Sequence, residues 1–338
     1  MTDSMARDTL AGAQTRPVTP LTATRVPRIR LVLAFAAVWV IWGSTYLAIA
    51  IAIESIPPFF MTGLRFLMAG GVLYLWARFR GSPRPSAIEW RWAALLGCLF
   101  FLVGNGTVAF VEQRVSSGLT ALMIALVTAW TALLEWLRPG GRTPTAGAVL
   151  GIVLGFAGTA LLVLPSGGVP AVPVLEGVLL IGSTLAWALA SVMTRSARLP
   201  ADTAMVAATE MLAGGAALLV LALVSGDLGR FDPGAVTRAS VLALLYQVVL
   251  GSLLTFTCYS WLLRVSTPSK VSTAGYVNPM VAVFLGWIFH GETLTTRSLA
   301  ASAVIIAGVA AIVTSRSRAG GETRDPQSAG ATTASQEV

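Results

Sequence analysis

Charged and metal-binding side chains are scarce in this sequence of 338 residues. Asp, Glu, Lys and Arg make up 11% of the chain, whereas soluble domains contain about 25%. The only histidine is His290, and the only cysteines are Cys98 and Cys258, so neither a multi-histidine metal site nor a disulfide framework is predicted. A nucleotide-binding loop with the Gly-Lys-Ser/Thr pattern is also missing. We therefore expect no cofactor, no bound metal and no catalytic residue.

Long apolar runs fill the chain between Leu31 and Thr314. Apolar residues make up 55% of the sequence, and the mean hydropathy is +0.77. A transmembrane helix needs roughly 20 such residues to cross a lipid bilayer. An all-α, multi-pass protein of the plasma (inner) membrane is predicted, with ten transmembrane helices at Leu31–Ile53, Phe59–Ala77, Trp92–Phe110, Ser117–Leu137, Ala146–Leu164, Val174–Met193, Ala204–Val224, Val241–Leu263, Val271–Phe289 and Ser298–Thr314.

The basic residues predict the orientation of these helices. The net charge is +8, but the arginines are spread over short loops, which argues against a nucleic-acid partner. With the N-terminus in the cytoplasm, 18 of the 23 Lys and Arg residues lie on the cytoplasmic side and four on the other side. This bias matches the positive-inside rule. Both termini are predicted to be cytoplasmic, and residues 1–30 and 315–338 are predicted to be disordered tails.

The two halves of the chain resemble each other. Arg114-Val115-Ser116 returns as Arg264-Val265-Ser266 after 150 residues, and the sequence at 67–71 is echoed at 211–215. We predict two five-helix repeats, at residues 31–165 and 174–314. Because five is an odd number, the repeats have opposite orientations in the membrane. Inverted repeats of this kind place a substrate site near the bilayer midplane and support alternating access.

Several motifs point to one family. They are Ile-Trp-Gly-Ser-Thr-Tyr at 41–46, Gly-Leu-Arg-Phe at 63–66, Val-Gly-Asn-Gly at 103–106, Tyr-Val-Asn-Pro at 276–279 and Gly-Glu-Thr-Leu at 291–294. With them, the chain resembles the EamA-type branch of the drug/metabolite transporter superfamily. The resemblance implies ten helices in two inverted EamA repeats and the movement of small metabolites or drugs, often by export. One departure is Thr128-Ala129-Trp130, where the family often has a proline in its fourth helix.

Arg65 is the first candidate for a substrate-binding residue. It lies inside the second predicted helix, and a charge near the bilayer centre costs about 2.5–3.5 kcal/mol on insertion scales. It therefore needs a partner or a polar cavity. One interpretation is an anchor for an anionic substrate group, and the other is a structural ion pair with Glu54 or Glu112.

Two glutamates are candidates for coupling transport to protons. Glu210 lies in the seventh predicted helix, and Glu135 lies toward the cytoplasmic end of the fourth. A medium of low dielectric constant favours the protonated form of a carboxyl group, so either residue could carry a proton. Alternatively, each glutamate fastens two helices together through a hydrogen bond.

Other polar and aromatic residues are predicted to line the substrate site. Pro279 removes one backbone hydrogen bond and is predicted to kink the ninth helix. The other candidates for the substrate site could instead form local hydrogen bonds or fill packing gaps. The two tryptophans among them occupy corresponding positions in the two repeats. These candidates are Trp42, Asn105, Trp187, Tyr276 and Asn278.

A secondary transporter is the leading hypothesis for function. It would export small metabolites, amino acids or drugs by alternating access, with a small molecule and the lipid bilayer as its partners. The alternatives are a flippase for a lipid or lipid-linked sugar and a membrane-embedded enzyme. The enzyme is the weaker alternative, because the chain has few residues that could serve as a nucleophile with a base. The small-residue ladder Gly147, Gly151 and Gly155 also predicts close helix packing, either within one chain or in a homodimer.

Overall fold

A computed structural model of the protein describes residues 27–138, 143–164, 172–266, 268–271 and 273–322. Helices make up most of these ranges, and they contain no β-strand. Most of the two predicted tails, at 1–26 and 323–338, lies outside the described residues. The remaining tail residues are helical: Arg28 begins the first helix, and the last helix continues to Glu322.

Ten helices form the body of the protein. Nine of those described are long and apolar enough to cross a membrane, and the ninth in chain order, of 16 residues, spans only about 24 Å. The helices are α1 Arg28–Ala52, α2 Pro58–Phe79, α3 Ala87–Val111, α4 Ser117–Leu137, α5 Ala146–Val163, α6 Val174–Met193, α7 Thr203–Val224, α8 238–265, α9 Ala274–Phe289 and α10 Thr296–Glu322.

The predicted helix ends differ from the observed ends mainly where polar residues form the first or last turn. Helix α3 begins at Ala87 rather than Trp92, because Ser86 and Glu89 form a capping box. Helix α10 ends at Glu322 rather than Thr314. Hydropathy marks the part of a helix that can lie in lipid, whereas the hydrogen-bonded helix can extend beyond it.

Helices α2 and α7 display the symmetry between the repeats. Each helix is followed by a glycine in the left-handed region, Gly81 with φ of 89° and Gly226 with φ of 76°. These glycines are 145 residues apart, as are the first residues of the two helices, Pro58 and Thr203. The same offset therefore relates both ends of the two helices.

The contacts between α2 and α7 establish that the helices are antiparallel. A Cβ atom built on Gly63 would lie 3.2 Å from the carbonyl oxygen of Gly215, and one on Gly70 would lie 3.0 Å from that of Ala208. The two contacts are equivalent, because the 145-residue offset relates Gly63 to Ala208 and Gly70 to Gly215. The predicted fold of ten helices in two inverted five-helix repeats is confirmed.

The glycine ladder of α5 packs against α10 of the same chain. A Cβ atom on Gly151 would collide with the carbonyl oxygen of Gly308, and one on Gly147 would lie 3.1 Å from Cβ of Ser315. Close packing of small residues allows strong van der Waals contact between helices in lipid. The ladder thus stabilises the interface between the last helices of the two repeats.

Two loop residues tie the start of each repeat's second helix to the other repeat. Asp227, after α7, accepts hydrogen bonds from the amides of Phe59 (2.9 Å) and Phe60 (3.3 Å) at the N-terminus of α2. Ser82, after α2, donates to Asp202, which caps α7. Each helix of the antiparallel pair is therefore anchored by the loop that follows its partner.

Replacement of Asp227 by alanine is expected to destabilise the protein by about 1 kcal/mol, because two amides of α2 lose a buried acceptor. Thermal unfolding in detergent, followed by tryptophan fluorescence, measures this loss. Asp232→Ala is the matched control, since the exposed side chain of Asp232 bonds, among the described residues, only to the nearby amide of Gly234. Equal unfolding temperatures for the two variants would contradict a capping role for Asp227.

Candidate functional site

Segments of π-helix interrupt three of the membrane helices, at Ala37–Ile41 in α1, Cys98–Asn105 in α3 and Gln247–Leu254 in α8. Such segments leave backbone groups without regular partners and occur frequently at functional sites. In α3 the Asn105 side chain donates to the carbonyl of Phe100 (3.1 Å), and in α8 Thr255 donates to Leu250 (2.7 Å). The 150-residue offset relates Asn105 to Thr255 and Phe100 to Leu250, so the two repeats stabilise these π-segments with equivalent hydrogen bonds.

Arg65 lies in the interface between the repeats. It projects from α2 toward the π-segment of α8, and it is only 6% exposed. Its Nη1 atom donates to Oε1 of Gln247 (2.8 Å), and its Nε atom donates to the Ser252 hydroxyl (3.2 Å). The Gln247 amide also donates to the carbonyl of Ala48 in α1 (3.1 Å). Neutral groups of α8 therefore hold the guanidinium.

The charge of Arg65 is not balanced by a carboxylate within 4.0 Å in the described part of the chain. Of the two predicted ion-pair partners, Glu54 is exposed, and Glu112 is buried without a hydrogen bond. The Nη2 atom lies close to Gly251, where a Cβ atom would be 3.5 Å away. No described residue accepts a hydrogen bond from Nη2. A buried cation with a free donor favours an anionic ligand.

Trp42 meets the same part of α8 from the side of α1. Its indole nitrogen donates to the carbonyl of Gly251 (3.0 Å), and its ring packs against Tyr259 with a centroid distance of 5.1 Å. The Ser44 and Tyr246 hydroxyls form a second hydrogen bond between the two helices (2.5 Å). Trp42 and Arg65 are thus brought together at Gly251.

Helix α9 completes this group of residues. With its side-chain amide turned so that donors face acceptors, the Asn278 nitrogen donates to the carbonyls of Trp39 (3.2 Å) and Ala274 (3.3 Å). These bonds link α9 to the π-segment of α1. Pro279 is buried within α9, and Tyr276 is partly buried against the main apolar core. A Cβ atom on Gly43 would lie 2.9 Å from the backbone oxygen of Asn278. The two helices therefore cross in close contact beside Trp42.

Asn105 and Trp187 form a second group, between α3 and α6. The Trp187 ring packs edge-on against Phe100, with centroids 5.0 Å apart, and lies against Gly104. Asn105 bonds to the carbonyl of that same Phe100. Each predicted tryptophan therefore contacts a π-segment of the opposite repeat.

The two predicted proton-coupling residues have different surroundings. Glu210 is 7% exposed, and its Oε1 atom has no hydrogen-bond partner among the described residues. The 145-residue offset places it at the position of Arg65 in the other repeat. Glu135 instead forms an ion pair with Arg195 (2.6 Å) at the ends of α4 and α6.

Comparison with known families identifies the fold and the transport class. The sequence profile of the EamA-like transporter family matches residues 29–164 and 175–314, one match in each repeat. The chain belongs to the EamA-like transporter family. With nine helices of membrane-spanning length among the described residues, this member of the family is a multi-pass membrane transporter.

Similar proteins include other transporters. The uncharacterized inner membrane transporter YedA of Escherichia coli strain K12 is 35% identical over 277 residues, which cover 82% of this chain and 88% of YedA. Protein PecM of Dickeya dadantii is 26% identical, covering 77% of this chain and 84% of PecM. A solved crystal structure, described only as that of a protein, has a TM-score of 0.56 at 21% identity, covering 85% of this chain and 98% of that chain. At this identity the likeness concerns the fold alone.

Sequence reasoning missed the partners of Arg65 in this EamA-like transporter. Gln247 and Ser252 lie in an apolar stretch of α8 that reads as an ordinary transmembrane helix. The available signal was their polarity, since a buried glutamine in lipid needs partners for its amide group. Gln247 is fully buried and bonds to both α1 and α2.

Proposed function

We propose that this EamA-like transporter is a secondary transporter of the plasma membrane that exports small organic molecules carrying an anionic group. Amino acids, other acidic metabolites and acidic drugs belong to this class. The observation that carries the proposal is Arg65, a buried guanidinium between the repeats with neutral partners and a free Nη2 donor. A carboxylate or phosphate group is the natural partner for such a donor.

The residues around Arg65 would hold the rest of the substrate. Trp42 offers an aromatic face beside the guanidinium, and Tyr276 and Asn278 supply polar groups from α9. Asn105 and Trp187 would contact the substrate from α3 and α6. Ligand sites of this kind combine apolar walls with a few polar groups that fix the ligand's orientation.

Alternating access would come from movement of one repeat against the other. The π-segments of α1, α3 and α8 and the proline of α9 lie where helices of the two repeats contact each other. Backbone that departs from regular helix can change its hydrogen bonds at lower cost than regular helix can. With both termini in the cytoplasm, Arg65 lies in the periplasmic half and Glu210 in the cytoplasmic half.

Proton exchange at Glu210 is proposed as the energy source. A buried carboxyl group without a partner on one oxygen is stable only when protonated, and it can release the proton when water reaches it. Glu210 meets this condition, with 7% exposure and a free Oε1. Glu135 forms an ion pair with Arg195, so we assign it the alternative role of joining α4 to α6.

The test compares the extracellular metabolites of cells that overproduce the protein with those of empty-vector cells. Acidic or zwitterionic molecules are expected to accumulate in the medium of the overproducing cells. Everted vesicles from the same cells should take up each enriched compound, and a protonophore should abolish the uptake. An unchanged medium, together with no uptake by vesicles in either orientation, would contradict export.

A further inference from the structure

Glu112 is a buried carboxyl group at the end of the molecule opposite the chain termini. It immediately follows α3 and is 8% exposed. Neither of its carboxyl oxygens has a hydrogen-bond partner among the described residues. A buried carboxylate without donors loses its hydration and gains nothing in return, so the neutral, protonated acid is the stable form in this conformation.

A second carboxyl group, Glu292, acts on Glu112 from the loop between α9 and α10. Glu292 accepts hydrogen bonds from the amide and hydroxyl of Ser117 (both 2.6 Å) and from the amide of Gly118 (3.0 Å). These donors form the N-terminus of α4, which stabilises an anion. Burial and the negative charge of Glu292 together raise the pKa of Glu112 well above its usual range.

The short turn from α3 to α4 is where the second repeat holds the first repeat on this side. Glu292 binds one end of the turn, at Ser117. Arg114, in the middle of the turn, forms an ion pair with Glu176 of α6 (3.0 Å). Glu112 therefore lies at the start of the turn that carries the contacts closing this end.

The other repeat has no such pair of carboxyl groups. The 150-residue offset relates Glu112 to Leu262, which is fully buried, and relates Glu292 to Arg142. A leucine therefore fills the equivalent position of the same fold. Because packing alone does not require a carboxyl group there, the glutamate at position 112 calls for a functional explanation.

We propose that Glu112 is a proton-binding site of the transport cycle, and that loss of its proton releases Glu292 from α4 and opens this end of the protein. The proposal rests on the alternating access described above. The proton moves between the Glu112 carboxyl and water on that side, and no other reactant is needed. Once Glu112 is charged, its repulsion of Glu292 and its need for hydration both favour the open state.

The pH dependence follows from the direction of the shift. The closed state binds the proton of Glu112 more tightly than the open state, so protonation stabilises closure. This end is expected to be closed at low pH and to open as the pH rises through the raised pKa of Glu112. The charged group that acts on this equilibrium is Glu292, since Arg114 is bound to Glu176.

Electron spin resonance distances can test this proposal without a known substrate. Spin labels at Gln113 and Thr293, both exposed, would report the separation of the α3–α4 turn from the α9–α10 loop. The labels are placed on full-length protein with Cys98→Ser and Cys258→Ser, in lipid nanodiscs. Between about pH 5 and about pH 9, we expect the closed population to fall at least about tenfold.

Glu112→Gln copies the neutral acid and is expected to keep the short distance at every pH. Glu54→Gln is the matched control, because Glu54 is an exposed glutamate at the same end of the molecule, and it should retain the full response. Glu292→Gln removes one repelling charge and should lower the midpoint by about one pH unit. An unchanged pH response in folded Glu112→Gln protein, or in Glu292→Gln if the first variant does not fold, would overturn the proposal.

The distance measurement and the export experiment can fail independently. A pH response that Glu112→Gln abolishes, with no metabolite exported, would leave the proton site standing and reject export. Export with a pH response that is unaffected by Glu112→Gln would support the proposed function and reject this site.

Discussion

Arg65→Ala is expected to reduce transport of anionic substrates about 100-fold, while the protein remains in the membrane. The variant removes the cation that would bind the substrate's anionic group, and charged hydrogen bonds of this kind contribute about 3 kcal/mol. Initial rates of uptake into everted vesicles, at equal amounts of folded protein, measure the effect. The uptake rate of neutral analogues of the substrate should fall much less, because these compounds make no charged contact with Arg65.

Two further variants separate charge from folding. Arg65→Lys keeps the charge but loses the planar guanidinium group that bonds to Gln247 and Ser252, so an intermediate transport rate is expected. Arg230→Ala removes an exposed arginine and should leave the rate unchanged. If well-folded Arg65→Ala protein transported anionic and neutral compounds as fast as the original protein, Arg65 would not be a substrate anchor.

Gly97→Leu is expected to abolish folding of the protein. At this glycine α3 lies directly against α7, and a Cβ atom would overlap the carbonyl oxygen of Glu210. The reverse contact is equally close, since a Cβ atom on Gly214 would overlap the carbonyl oxygen of Gly97. Because backbone atoms on both sides block the side chain, the helices must separate, at a cost of more than about 4 kcal/mol.

The amount of monodisperse protein after mild detergent extraction measures this loss. Gly182→Leu is the matched control, because apart from the backbone and chain neighbours of its own helix, no described atom lies within 4 Å of a Cβ atom at that position in α6. A leucine at position 182 should be tolerated, or should stabilise the helix slightly. Normal yields of Gly97→Leu protein would mean that α3 and α7 do not pack as closely as described.

Most of the fold could be predicted from the sequence because each helix is encoded by its own residues. Continuous apolar runs located α4 and α6 with their observed ends, and repeated motifs predicted the inverted halves. A single polar residue within such a run was also visible, which is why Arg65 and Glu210 were identified. These signals come from neighbouring residues in the sequence, whereas hydrogen-bond partners can be far away in the chain.

The partners of Arg65 could not be predicted because Gln247 and Ser252 are more than 180 residues away in the chain. Only the crossing of α2 and α8 brings them together. The burial of Glu112 could not be predicted for the same reason, since the sequence indicated only a possible ion pair with Arg65. Its surroundings depend on how the second repeat packs against the turn.

The chemical difference between Arg65 and Glu210 bears on the proposed transport cycle. If the two repeats were chemically identical, a two-fold rotation would relate the inward-facing and outward-facing forms, and their energies would be equal. A cation at one position and an acid at its counterpart remove that degeneracy. In the proposed cycle, membrane voltage and the pH on each side would then act differently on the two forms, so that the resting protein would face one side by preference.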